Sequence, residues 1–348
     1  MNSAWQTYLR DRCAIIENHV VTHFGNIAAE RSAAAQETII ADLSPFGLIR
    51  FSGNDAAAFL QSQLSCDVQE IDAQTMRYGS YCTPKGRILA NFMLWQHDDG
   101  FLMQLPASLL ASTLKRLSMY VLRAKVQLAD VSDKWVKIGV AGTSAASTIE
   151  KTTGIACSGS RTLQVLPGET FHIRCLQSNR MEIITPAANA PLLWQQISQY
   201  AQPVGSGCWE WLTIQAGIPV ILPDTQEAFI PQMINLDALG GVSFKKGCYP
   251  GQEIVARTQY LGKLKRHMVL AHIDTAESVN PGDLLYSDDM TDQSSGTIVN
   301  AAPAPAGGVD VLAVIQLSSL DSSEIHWLSL QGPRLIMKPL PYELSTSL

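Results

Sequence analysis

The densest chemistry in this 348-residue chain lies between residues 240 and 253. Gly240, Gly241, Gly247 and Gly251 fall within twelve residues, together with Lys245, Lys246, Cys248 and Glu253. Glycines at this density let backbone approach a ligand or another strand closely. Cys248 follows Lys246 by two residues and precedes a segment, 254–259, that reads as a helix. A nearby ammonium and a helix N-terminus both favour thiolate, so Cys248 is the candidate reactive thiol. Taken alone, a single cysteine among glycines reads as a small buried residue and a lysine pair as a solvated face. Their compression into one loop is what points to a site.

The charge pattern isolates the same region. The chain carries a net −6. Between 245 and 266, however, Lys245, Lys246, Arg257, Lys263, Lys265 and Arg266 face only Glu253. An acidic whole excludes a dedicated basic nucleic-acid binder, so any such contact must be local. The seven cysteines form no C-x-x-C pair, which argues against a disulfide scaffold and against a zinc or iron–sulfur ligand set; no metal is expected. No apolar run approaches a membrane span and no signal peptide opens the chain. The expectation is a soluble cytoplasmic protein with no membrane partner.

The elements that must position these residues are short and mixed. Residues 1–40 read as helical, because Trp5, Leu9, Cys13, Ile16, Val20, Phe24 and Ile27 recur at three- and four-residue spacing before an Ala-rich stretch. A strand at 48–53, a helix at 56–64 capped by Asn54-Asp55, a hairpin of 77–82 and 88–95 around the turn 83–87, and a helix at 108–120 follow. A second block combines a strand at 135–140, helices at 142–152 and 190–200, and short β-type runs at 162–165, 171–175 and 181–184. Trp209 opens a helical segment that ends at Gly217. From 267 on, runs at 267–273, 284–286, 296–300, 311–317 and 326–330 suggest a small antiparallel barrel or sandwich. The fold class is α+β, with no G-x-G-x-x-G and no P-loop.

Lys246-Gly247-Cys248-Tyr249-Pro250-Gly251-Gln252-Glu253 resembles the signature of the YgfZ family of folate-binding proteins, related to the glycine-cleavage T-protein, an aminomethyltransferase. The likeness extends through Phe229-Ile230-Pro231-Gln232, Asn235, Gly240 to Phe244, Gly53-Asn54-Asp55, Asp67-Val68 and Pro339-Leu340-Pro341-Tyr342, covering most of 40–342. The resemblance implies a three-domain ring around a central folate channel. Residues 41–130 plus 203–266 would form a discontinuous folate-binding domain, 131–202 a second α+β domain and 267–342 a small β-barrel, with 1–40 a helical extension outside the likeness.

It also implies bound tetrahydrofolate and a role in iron–sulfur cluster assembly or repair and in cluster-dependent tRNA thiomethylation. Iron–sulfur proteins or tRNA-modifying enzymes would be indirect partners. Trp209 and Phe46 match positions where the family places indoles at the folate. Gln215, in Thr213-Ile214-Gln215-Ala216-Gly217, stands where T-proteins read the pterin with a carboxylate. Lys246 and its basic neighbours would meet the anionic tail, or RNA backbone, with Tyr249, Gln252 and Glu253 beside it. Ala90 and Asn91 stand where T-proteins carry an acid, and neither can act as an acid or base near pH 7, which disfavours aminomethyl transfer. A one-carbon transferase and a non-catalytic interaction protein are the alternative readings.

Overall fold

The computed structural model describes residues 1–344 except 178, 261–263 and 291–292. Three large sheets organise it. The first is antiparallel, in the order Met76–Cys82, Ile88–His97, Gly100–Pro106, Phe46–Ser52, Gln127–Asp130. The expected hairpin is its edge pair, in register from Met76 opposite Trp95 to Cys82 opposite Ile88, with a bulge near the turn. The helices Ala56–Gln63 and Ala107–Met119 cover one face. Asp55 stands at the first helix's N-terminus, but its carboxylate accepts from the Lys125 backbone N–H at 2.7 Å and makes no side-chain cap.

The second sheet runs Gln164–Pro167, His172–Cys175, Arg180–Pro186, Trp135–Ala141, Ile39–Asp42, Gln202–Val204, with only the last pair parallel. It therefore takes two strands from segments that the sequence reading placed largely in the first domain. Both are three or four residues long, and Ile39–Asp42 is buried throughout, so no alternation marks its face. The helices Ser3–Arg10, Ala145–Thr153 and Ala190–Ile197 cover the outer face around Trp5 and Trp194. The inner face meets the first sheet through Trp95, Leu102, Ile184 and Trp209.

The third sheet runs His326–Trp327, Leu284–Tyr286, Gly296–Pro303, Val309–Gln316, Arg266–Ile273, Leu335–Lys338, all antiparallel. A bridge between His326 and Arg334 links its two edges.

The N-terminal segment corrects one expectation. It is not helical throughout: Ser3–Arg10 ends, and Ile15–Glu17 pairs with Val20–His23 before the helix Ile27–Gln36. Asn18 and His19 both take positive φ, at 47° and 66°, as a two-residue hairpin turn requires. Ile15, Ile16, Val20, Val21 and Thr22 are β-branched and favour strand over helix. The segment is also an integral layer. Trp5 is buried and its indole N–H donates to Asp42 at 2.7 Å. Glu30, also buried, accepts from the N–H groups of Phe24 and Gly205 at 2.7 and 2.9 Å.

Buried polar groups join the first two sheets. Arg174 pairs with Glu182, and Gln104 on the first sheet donates to Glu182 at 3.1 Å and accepts from Arg174. The Arg174 guanidinium lies 4.2 Å from the Trp95 ring centroid. Removing one partner leaves a buried charge uncompensated. Glu182→Leu is expected to destabilise the protein by about 3–5 kcal/mol, and Arg174→Met with Glu182→Leu to recover most of that loss in urea unfolding. A second junction is His97 Nδ1 to His172 Nε2 at 3.1 Å, with Trp135 edge-on to His97. Burial lowers both imidazole pKa values; Asp98 opposes the shift at both rings, and Arg50 and Arg174 reinforce it. Below the ordinary value of 6.5 the unfolded chain then binds more protons than the folded one. Stability is present above that pH and falls as pH drops toward the folded-state values. Thermal melts should show this fall, and His97→Gln should flatten it.

Candidate functional site

The helix Ser206–Gln215 carries the site. Trp209 is buried with its ring on Gly139 of the second sheet; a Cβ at Gly139 would sit 2.6 Å from the indole. Phe46, at the start of a first-sheet strand, and Trp209 both line a cleft between the sheets. The cleft has two chambers, of about 110 and 50 Å³, that share Phe46, Pro106, Trp209, Thr213, Ile218 and Val220. Phe46 and Trp209, the two aromatic residues that the resemblance assigns to the folate, line the same cleft.

The polar lining differs from the expectation. The outer chamber has Asp42 and Glu210. Burial raises the Asp42 pKa against bonds from Trp5 and Ser44. Glu210 reaches solvent at the mouth, yet protein crowds its carboxyl, and lost hydration raises its pKa. The inner chamber has Gln104, Glu182 and Arg180. Arg180 Nη1 donates to Thr213 Oγ1 at 2.8 Å, its guanidinium lies 5.5 Å from the Trp209 centroid, and its Nη2 is buried without a partner among the described residues. Asn91 lines this chamber as well, but as a clamp: it donates to Pro219 O at 2.7 Å and accepts from Ile221 N–H at 2.8 Å. Ala90 is buried.

Gln215 is a correction. It faces away from the cleft and donates to Asp310 Oδ2 at 2.9 Å, beside the Trp211 indole at 2.8 Å. The reason is helical phase. Trp209 and Thr213 are four residues apart and share a face; Gln215, six from Trp209, points roughly 120° away from it, and Trp211 roughly 160°. That i, i+4 relation was the signal that would have found Thr213. Nothing in the sequence marked Arg180, Glu182, Gln104 or Asp42, because a charged residue in a strand reads as exposed until the fold covers it.

The loop around Cys248 is a separate place. Cys248 is exposed in a shallow depression with Pro84, Gln252 and Glu253. Five of the other six cysteines are buried, and burial pushes the Cys66 and Cys82 thiols up to about 12. Lys246 is a second correction: it does not reach out to an anion. It is buried, and its Nζ donates to the carbonyls of Leu64 and Cys66 at 2.7 and 2.9 Å, 5.3 Å from the Tyr249 ring centroid. Nor does it flank the thiol as an ammonium neighbour, since it turns inward while Cys248 turns out. Tyr249 is buried, Gln252 and Glu253 open the helix Gln252–Tyr260, and none of the four lines the cleft. Lys263 of the basic stretch lies outside the described residues. Among the described residues no group of three His, Cys, Asp or Glu is placed to hold a metal.

Comparison with known proteins shows the family and the fold. The GCVT N-terminal domain family matches residues 15–246, so the N-terminal hairpin and Ala-rich helix fall inside the family region, not before it. The chain is 32% identical over 263 residues to the tRNA-modifying protein YgfZ of Colwellia psychrerythraea, covering 73% of this chain and 77% of that one. It is 30% identical over 305 residues to the YgfZ of Sodalis glossinidius and 31% over 303 residues to that of Escherichia coli, each covering 87% of this chain and 92% of the relative. The aminomethyltransferase T structure from Bartonella henselae superposes with a TM-score of 0.79 over 99% of this chain and 98% of that one, at 16% identity, which establishes a T-protein-like fold. On these grounds, and on the motif at 246–253, the chain belongs to the YgfZ family of GCVT-domain proteins.

Proposed function

We infer that this protein is a tetrahydrofolate-binding accessory protein of the cytoplasm that supports iron–sulfur cluster assembly or repair and, through it, tRNA thiomethylation. The observation that carries the reading is the cleft lined by Trp209 and Phe46. A flat heteroaromatic ring gains from both stacking and area there. The polar groups suit a pterin. Arg180 Nη2 offers a buried donor with no partner among the described residues, matched to a ring carbonyl. Glu182, or Glu210 at the mouth, supplies the carboxylate that the amino-pyrimidine edge requires, in place of Gln215.

Tetrahydrofolate would supply one-carbon chemistry when bound, but this chain's own residues do not assist a transfer at Asn91. Its amide is engaged at both its nitrogen and its oxygen in holding 219–221 against the first sheet. The reading is therefore a binder, with Cys248 as a separate functional thiol. The tRNA-modifying names of the relatives support a role in RNA modification.

Tetrahydrofolate should quench tryptophan fluorescence saturably, and no quenching at millimolar ligand would refute the reading. Phe46 is half-buried and so the cleaner probe. Phe46→Ala should weaken binding about two- to tenfold, and Phe46→Trp should not. Cys248→Ala should abolish support of cluster-dependent tRNA thiomethylation in cells while leaving the fold and folate quenching intact. Retained thiomethylation would reduce Cys248 to a surface residue.

A further inference from the structure

The face around Cys248 is built from three pieces of chain. The hairpin turn 83–87 packs on the loop, since a Cβ at Gly251 would meet Thr83 O at 2.5 Å and Gly86 Cα at 2.6 Å. Pro84 lines the depression that holds the thiol. The helix Gln252–Tyr260 leaves the loop and ends on Tyr260, whose ring packs edge-on to Phe244 at 6.1 Å and is 68% exposed. The turn 231–235 ties this helix to the third sheet, through Gln232 to Val255 O and Asn235 to Met268 O. That brings the start of the strand Arg266–Ile273 alongside.

The charges on these pieces have one sign. Lys85, Arg87, Lys245, Arg257, Lys265 and Arg266 are exposed or half-exposed, and Glu253 is the sole carboxylate on segments 83–87 and 243–266. Among the described residues none of the six enters an ion pair. Unpaired cations spread over three elements, in a chain of net −6, match a long polyanion better than a compact carboxylate tail. None of these residues lines the folate cleft. The exposed tyrosine adds what a carboxylate ligand would not use, a ring face for a base.

We propose that this face docks RNA, with the cations on its phosphates, Tyr260 against an unstacked base, and Cys248 beside the bound strand. The proposal stands independently of folate in the cleft.

The test is fluorescence anisotropy of a labelled, unmodified tRNA transcript with the full-length protein across a salt series. Binding should be saturable and weaken steeply with salt. Lys245→Ala and Arg257→Ala should each lower the slope of log affinity against log salt by about one. Tyr260→Ala should weaken binding at least about fivefold with the slope unchanged. Lys151→Ala, on a helix over the outer face of the second sheet, should change neither. Absence of binding at low salt, or equal losses from Lys151→Ala, overturns the proposal. Displacement of the RNA by poly-glutamate together with a silent Tyr260→Ala assigns the face to an acidic protein instead and also overturns it. So does a loss of tetrahydrofolate quenching in Lys245→Ala, which would make the patch the seat of the folate tail. Failure of quenching in the unaltered protein leaves the RNA result readable, since the two signals are separate.

Discussion

One helix has to satisfy two sheets at once. Ser206–Gln215 is apolar or buried over most of its circumference, so packing and not amphipathicity sets its phase. Trp209 must lie on Gly139 of the second sheet, where any side chain larger than hydrogen would collide with the indole. Trp211 and Gln215 must reach Asp310 on the third sheet. Thr213 must accept from Arg180. A slip of one residue turns the helix by about 100° and breaks all three. The cleft exists because Trp209 is held at this angle opposite Phe46, and the same constraint removes Gln215 from the cleft. Asp310 fixes the helix from the far side: its two oxygens accept from Trp211, Gln215, His272 and Lys338. Its pKa is lowered by the bonds from Lys338, Trp211 and His272, which together outweigh the opposing effect of its burial.

The cleft, lined by Asp42, Arg180 and Glu182, and the protein beside it hold charges that the fold has removed from water. Asp42, Arg174, Arg180, Glu182 and Lys137 are all buried. Each such ion costs several kcal/mol in desolvation unless it is paired or bonded. Burial pushes Lys137 down to about 8 despite Asp42. Part of the cost is offset locally, by the Arg174–Glu182 pair, by Gln104 and by indole faces under both guanidiniums. Arg180 Nη2, and Nε and Nη1 of Arg174, are left without a partner among the described residues, and of these two side chains only Arg180 lines the cleft. A buried donor left unpaired beside an aromatic wall is unfavourable for the empty protein and favourable for a complex that supplies an acceptor.

Much of this architecture was legible in the sequence where periodicity had room to act. The 76–97 hairpin, the 107–119 helix and the strand at 135–141 alternate or repeat over seven residues or more and fall where expected. Failures occur where the period had no room. Ile39–Asp42 is too short and buried on both faces. Leu335–Lys338 exposes Ile336 and Met337, so it showed no alternation to find. At the N-terminus, apolar residues at 16 and 20 satisfy a helix period and a two-residue hairpin equally, and the local turn decided. The site shows the same division. Phe46 and Trp209 came from the family resemblance, whereas Arg180 and Glu182 acquired their meaning only when the first sheet closed over them.

The motif at 246–253 combines two kinds of residue that sequence alone merges. Along it, Lys246 and Tyr249 are buried while Gly247 and Cys248 are exposed. Lys246 grips the backbone after the helix Ala56–Gln63, and Tyr249 packs beneath its ammonium. These two anchors hold the segment between them at the surface. Gly251 allows the hairpin turn to close on it without a Cβ in the way. A thiol on a free loop would sample many positions, and each would cost ordering entropy on contact with a partner. A thiol displayed between two buried anchors has met that cost in folding. The density of chemistry that marked this stretch is therefore a displayed group together with its own supports. That explains why its lysine points inward, while the exposed cations of this part of the chain stand on the neighbouring segments.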